Sequence, residues 1–370
     1  MEASQASGEG PTPFTRSISG RGAGRPARPA PFRFRGDSAA MSFTADDSFA
    51  HRGRRFPRKG VAALLALLAA AAAAIASWLV PERTPDVPPG LCVDSWNMEW
   101  FPSGYLEPQS PSAEARRIRA AARAVRRAGV PDVLLVQEIR NPATCRAFAG
   151  AIGDPAFRPV VCSGFWNSPT NVSLQQLAIF SRLPCRTNGW ERWAARDFVY
   201  PPRGYAWAVL DTADGPVAFF DVHLKSNFIP EGQDVEQQTV LNRLKRQLSA
   251  EQVLAHVARM RAEGVGGEPL AGVVLAGDFN VAAEDPRFAD ETTLRQVLES
   301  GLRDAFEGIP EADRPTLPAN DFYPPATFDH LYYAGLGEPV LRAVLPHTSV
   351  SDHSPVRAVF PTNAPAAAAP

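Results

Sequence analysis

A chain of 370 residues with 45% apolar and 21% charged residues has the balance of an ordinary globular protein, long enough for one large domain plus appendages. Its net charge of −1 hides an asymmetry, because residues 1–80 carry eleven Lys/Arg against five Asp/Glu, which leaves −7 for residues 81–370. A mildly acidic folded part argues against a broad electropositive surface for gripping long polyanions.

Residues 1–40 are rich in Pro, Gly, Ser and Arg and poor in aliphatics, so they cannot bury enough apolar surface to offset the entropy of ordering. The whole of 1–60 reads as a disordered basic region, with Met41 as an alternative start. From Val61 to Val80 run twenty residues without a charge, preceded by Arg52, Arg54, Arg55, Arg58 and Lys59. A helix of that length just spans a bilayer core, and a basic flank stays cytoplasmic. Residues 61–80 are therefore expected to be a transmembrane signal anchor. Ala74-Ile75-Ala76 keeps a cleaved signal peptide open. Either way the rest of the chain is expected outside the cytoplasm. Residues 81–90 hold four prolines and read as an extended linker, and 362–370 as a Pro/Ala tail.

The domain expected over 91–361 alternates strands and helices. Leu91–Trp100 reads as a strand and Ser112–Ala128 as a helix capped at Ser112. Val133–Gln137 is apolar up to its last residue, hence a central strand buried on both faces. Further strands are predicted at Phe157–Cys162, Leu174–Ser181, Tyr205–Asp211, Val217–His223 and Gly272–Ala276. A long helix is predicted over Val235–Glu263 and another near Thr292–Glu299. The closing strands are Thr327–Tyr333, Pro339–Val344 and Val356–Phe360. This order predicts an α/β fold, a four-layer sandwich of two packed mixed β-sheets flanked by helices. Four cysteines without a CxxC pair argue against a zinc ribbon. The pair Cys145–Cys162 is the disulfide expected, with four unlinked thiols as the alternative.

Six short polar strings follow or end β-prone runs: Trp96-Asn-Met-Glu99, Gln137-Glu138, His223-Leu-Lys-Ser226, Gly277-Asp-Phe-Asn280, Phe328-Asp-His330 and Ser351-Asp-His353. Carboxylates, amides and imidazoles thus leave several strands at one edge of a core. Hard carboxylate oxygens suit Mg²⁺, Mn²⁺ or Ca²⁺, while imidazoles suit proton transfer. Glu138 at the end of a buried strand is an isolated charge that a cation would compensate. Asp278 and Asn280 stand two apart and share one face of an extended segment.

In identity and order these strings resemble the endonuclease/exonuclease/phosphatase superfamily, and the resemblance covers residues 91–360. It implies that Glu138 ligates a metal ion, with Asn97 supporting it or orienting the phosphate, and Asp278, Asp352 and Glu99 close by. Mg²⁺ is the cofactor implied, with Mn²⁺ or Ca²⁺ as alternatives. His223 would contact the scissile phosphate, where AP endonucleases usually place a tyrosine, and that difference argues against abasic-site repair. Asn280 would hydrogen-bond the phosphate, and His353, oriented by Asp329, would be the general base. Phe328 departs from the basic or small polar residue common before the Asp. The activity implied is metal-assisted hydrolysis of a phosphodiester, foremost by an extracytoplasmic nuclease. A membrane-tethered phospholipid or sphingomyelin phosphodiesterase, or a small phosphate-ester phosphatase, is the alternative. Phe228-Ile229 is placed to touch a bilayer, and Trp166, Asn167 and Asn171 to line a substrate groove. No protein partner is implied.

Overall fold

The computed structural model describes residues 87–168, 170–319 and 324–362. The anchor or signal at 61–80, the basic region before it and most of the Pro/Ala tail lie outside the described residues. Among the described residues no helix is long and apolar enough to cross a membrane.

Two six-stranded mixed sheets pack face to face. The first runs β13 (Leu341–Val344), β14 (Val356–Phe360), β1 (Leu91–Phe101), β2 (Val133–Ile139), β6 (Gln176–Ser181), β3 (Arg158–Cys162). The second runs β11 (Arg303–Asp304), β12 (Asp329–Ala334), β10 (Gly272–Asp278), β9 (Gly215–His223), β8 (Gly204–Thr212), β7 (Cys185–Arg192). A small hairpin, β4 (Trp166–Ser168) with β5 (Asn171–Val172), stands apart from both. Helices α1 (Pro111–Arg127) and α2 (Pro142–Ile152) cover the outer face of the first sheet over Trp96, Leu134, Val136 and Phe180. Helices α3 (Val235–Glu263) and α4 (Thr293–Glu299) cover the second over Phe220, Val273 and Leu275. Between the sheets lies a third apolar layer with Val93, Leu135, Ile179, Phe219 and Val274. This is the four-layer sandwich that the sequence predicts.

β2 is buried along its whole length, parallel to β1 on one side and antiparallel to β6 on the other. β9 and β10 are likewise parallel neighbours. Parallel pairs end at the same edge, so β1, β2, β9 and β10 deliver their last residues together and β12 starts beside them.

Several details differ from expectation. The cap of α1 is Ser110, whose hydroxyl accepts from Ala113 N, because Pro111 supplies the first turn. Helix α2, which carries Cys145, is capped by Asn141 at its start and by Gly153 (φ 81°) at its end. β7 escapes the sequence reading, since CRTNGWER is an edge strand with little apolar alternation. All four cysteines are free, so the expected Cys145–Cys162 disulfide is not formed, and Cys162 Sγ donates instead to the Ser163 carbonyl at 3.7 Å. Gly277 is required inside β10, because at φ 142° a Cβ there would lie 2.0 Å from the Val222 carbonyl oxygen.

Candidate active site

Six of the residues singled out from the sequence converge where the strands end. The Asn97 amide lies between the two sheets and donates to Asp278 Oδ2 at 2.9 Å and to Glu138 Oε1 at 3.3 Å. His223 Nε2 faces the same two carboxylates, 3.7 Å from Glu138 and 3.6 Å from Asp278. His353 Nε2 stands 3.9 Å from Asp278 Oδ2, while its Nδ1 meets Asp329 Oδ2 at 2.6 Å. All six are buried, with Asp329 fully enclosed. Asn280 closes the turn: its backbone N–H donates to Asp278 Oδ1 at 2.8 Å and its amide to the Leu224 carbonyl at 3.3 Å.

The backbone is strained here more than elsewhere. Seven described non-glycine residues adopt positive φ, and five of them, Glu99, Trp100, Glu138, Arg203 and Asn280, surround this cluster. Such conformations cost about 1–3 kcal/mol each and persist where surrounding contacts fix them. At Glu138 the fixing contact is Trp100 N–H on Oε2 at 2.9 Å. The His353 turn is held by Ser351, whose hydroxyl donates to the Asn97 carbonyl at 2.7 Å and accepts from His353 N–H at 3.0 Å. Trp96 Nε1 donates to the His353 carbonyl at 3.1 Å.

Burial drives the electrostatics. It pushes the Asp278 carboxyl up to about 7, against the counter-effect of His353. It also holds His223 well below the usual imidazole range, helped by the positive charges of Arg203 and His353. At His353 burial works the same way, yet the Asp329 carboxylate outweighs it and raises the imidazole well above its ordinary value.

Two enclosed carboxylates sharing one amide donor are the chemistry of a hard-cation site. Among the described residues no three His, Cys, Asp or Glu side chains form a cage that could hold a metal ion unaided. That suits Mg²⁺, which is commonly held by one or two carboxylates and completes its shell with water and substrate phosphate. Glu138 and Asp278 fit that role. The other two acidic residues of the expected set stand at the margin. Glu99 pairs with Arg117 at 3.0 Å, and Asp352 is exposed, near enough to act on the charges of Glu99 and His353.

Two supporting residues, Arg203 and Thr316, were not read from the sequence, and a third, Gln137, belongs to one of the strings that were. Arg203 donates to the carbonyls of His223 and Leu224 and to Gln175 Oε1, tying three segments behind His223. Thr316 Oγ1 accepts the N–H groups of Phe328 and Asp329. Gln137 reaches across the sheets to Asp221 Oδ1 at 2.6 Å directly beneath the site. The partners of Arg203 and Thr316 are distant in sequence, so no local signal marks those two. The departure at Phe328 has a packing reason, since its ring meets Phe288 edge to face. Lys225 folds back on the Ser226 and Phe228 carbonyls, and burial lowers it to about 8. His256 packs among Tyr205, Trp207 and Phe220, and His330 Nε2 bonds the Val281 carbonyl, so both are structural.

The same architecture occurs in solved structures. An endonuclease/exonuclease/phosphatase from Beutenbergia cavernae DSM 12333 is 17% identical with a TM-score of 0.54, over 74% of this chain and 72% of that one. Sphingomyelinase C from Streptomyces griseocarneus is 20% identical with a TM-score of 0.52, over 74% of this chain and 99% of that one. A functionally unknown conserved protein from Enterococcus faecalis V583 is 15% identical with a TM-score of 0.51, over 73% and 99%. At such identities the likeness is one of fold. No curated protein sequence matches the chain. Residues 95–353 match the Endonuclease/Exonuclease/phosphatase family, a span that begins two residues before Asn97 and ends on His353. With the fold, the order of the strings and their convergence all in agreement, the chain belongs to that family of metal-dependent hydrolases acting on phosphoester bonds.

Proposed function

We propose that this phosphoesterase is a Mg²⁺-dependent phosphodiesterase that uses the Asp329–His353 pair to activate water. The observation that carries the reading is the 2.6 Å contact between His353 Nδ1 and Asp329, which turns Nε2 toward Asp278. Glu138 and Asp278 would hold the ion, and Asn97 keeps their oxygens facing one another. A bound divalent cation supplies neutralisation of phosphoryl charge and polarisation of the phosphorus centre. His353 Nε2 takes the proton of the attacking water, and Asp329 stabilises the imidazolium that results. His223 Nε2, kept neutral by burial, hydrogen-bonds a phosphoryl oxygen, with Asn280 at its side. Enclosure of these groups keeps bulk water from screening them.

The test uses the full-length chain and bis-p-nitrophenyl phosphate with Mg²⁺, then with EDTA. Turnover should vanish with EDTA, and His353→Ala should lower kcat by about 10²–10⁴-fold with an unchanged melting temperature. Near-normal turnover by His353→Ala would remove it as the base.

Nucleic acids and lipid head groups both present a phosphodiester. The nuclease reading rests on the resemblance of the six strings, and the extracytoplasmic placement rests on residues 52–80 alone.

A further inference from the structure

We propose that Arg246 and Asn227 are positioning residues for Asn280, and that they hold its amide so that one N–H is left for a phosphoryl oxygen of the substrate. This rests on the reading above, in which Asn280 meets the phosphate, and adds the groups that keep it in place.

The pattern of α3 is where the inference begins. Met260, Val257, Val253 and Ala250 recur at helical spacing along its buried face, and four residues before Ala250 the same stripe reaches Arg246, only 3% exposed. A cation so enclosed needs a partner. Glu291, two residues ahead of α4, supplies it: Oε2 accepts from Nε at 3.1 Å and from Nη2 at 2.6 Å. Thr293 Oγ1 donates to the other Glu291 oxygen and fixes the carboxylate. A buried ion pair gives up so much hydration that it adds little to stability, and what it provides here is a guanidinium fork locked in one orientation.

The third arm of that fork points to the loop after His223. Nη1 donates to the Lys225 carbonyl at 3.1 Å and to Asn227 Oδ1 at 3.0 Å. With its oxygen held, the Asn227 amide turns Nδ2 to the Asn280 carbonyl at 3.0 Å. Asn280 requires such a hold, because its φ of 55° is a left-handed conformation that persists only where contacts fix it. Its N–H is anchored on Asp278 Oδ1, its carbonyl by Asn227, and its side-chain Nδ2 on the Leu224 carbonyl. An amide nitrogen carries two hydrogens, and Leu224 takes one of them. The second is the donor that a phosphoryl oxygen can use, and its direction is set by the other three contacts. Two arginines thus divide the segment that follows β9: Arg203 serves the His223 and Leu224 carbonyls, while Arg246 serves Lys225 and Asn227.

Asn227 is itself exposed, so replacing it does not open the core. Two substitutions separate its two bonds. Asn227→Ala removes both, whereas Asn227→Asp keeps an acceptor for Arg246 and loses the N–H that Asn280 needs. The experiment measures kcat/KM of the full-length chain on bis-p-nitrophenyl phosphate with Mg²⁺, for each variant alone and combined with Asn280→Ala. Asn227→Ala and Asn227→Asp should each lower kcat/KM by about tenfold while the melting temperature stays within about 2 °C. In the Asn280→Ala chain neither should add more than about a twofold loss, since the group they position is gone. Arg246→Lys, which keeps the charge and loses the fork, should match Asn227→Ala in turnover, and joining the two should cost at most about twofold more.

Normal turnover by Asn227→Asp overturns the proposal, because the bond to Asn280 would then carry nothing. So does a loss of equal size with and without Asn280→Ala, which would make Asn227 a brace or a local charge acting independently of Asn280. Losses that simply multiply in Arg246→Lys with Asn227→Ala remove Arg246 from the chain of contacts. Full turnover by Asn280→Ala alone, in a wild type that hydrolyses the substrate, overturns the role of Asn280 at the phosphate and this inference with it. A wild type that leaves the substrate intact overturns the phosphodiesterase reading as a whole.

Discussion

Arg203 shows how a residue outside the reacting cluster can govern it. Its guanidinium spans the His223 and Leu224 carbonyls and Gln175, at distances between 2.8 and 3.3 Å. A lysine cannot reproduce that planar fork. Arg203→Lys should therefore lower kcat by about 10-fold or more through displacement of His223, while leaving KM nearly unchanged. Arg203→Ala should do the same and recover part of its kcat when free guanidinium is added. A fall in melting temperature without rescue would reduce Arg203 to a structural brace. The contrast with His223 explains what the sequence discloses. Asn97, Glu138, His223, Asp278 and His353 each sit at or near a strand end, so a polar residue following an apolar run gives them away. Arg203 works through partners 20 to 28 positions distant, lies in an irregular loop, and leaves no pattern.

At the scale of elements, the site depends on two sheets keeping their relative position. Asn97 and Glu138 belong to one sheet, His223 and Asp278 to the other. Beneath them Gln137 Nε2 bonds both Ser95 Oγ and Asp221 Oδ1, a polar tie inside an otherwise apolar interlayer. Burial holds the Asp221 carboxyl well above the usual range, so it depends on that partner. Gln137→Leu should cost about 1–3 kcal/mol in urea unfolding, because it strands a buried acceptor. Combining it with Asp221→Leu should recover most of the loss, since removing both partners of a buried hydrogen bond is nearly neutral. If the double variant is as weak as the single, packing rather than the polar tie is what Gln137 contributes. Sequence patterning discloses the two-sheet architecture because buried strands carry unbroken apolar runs such as Val133–Val136. It misses β7, whose exposed edge asks for no such run.

Across the whole molecule, cation binding and folding are coupled through the Glu138–Asp278 pair. Both carboxylates are buried in the folded chain, 9% and 1% exposed, and burying them uncompensated opposes folding in the absence of a cation. A ligand bound only to the native state stabilises it by RT ln(1 + [L]/Kd), about 2.7 kcal/mol at a hundredfold excess over Kd. For a domain of this size that is a rise of about 5–10 °C in melting temperature. Mg²⁺ should produce this shift with the wild type in the absence of any substrate. Glu138→Gln should abolish it while remaining at least as stable as the metal-free wild type, because the substitution removes one of two facing charges and keeps a partner for the Trp100 N–H. Asp278→Asn should behave alike, whereas Asp352→Asn, on the exposed flank, should retain most of the shift. A shift undiminished in both Glu138→Gln and Asp278→Asn would place the cation elsewhere on the acidic surface. Calorimetry reads this at equilibrium, independently of turnover, so it separates the ion's seat from its chemistry.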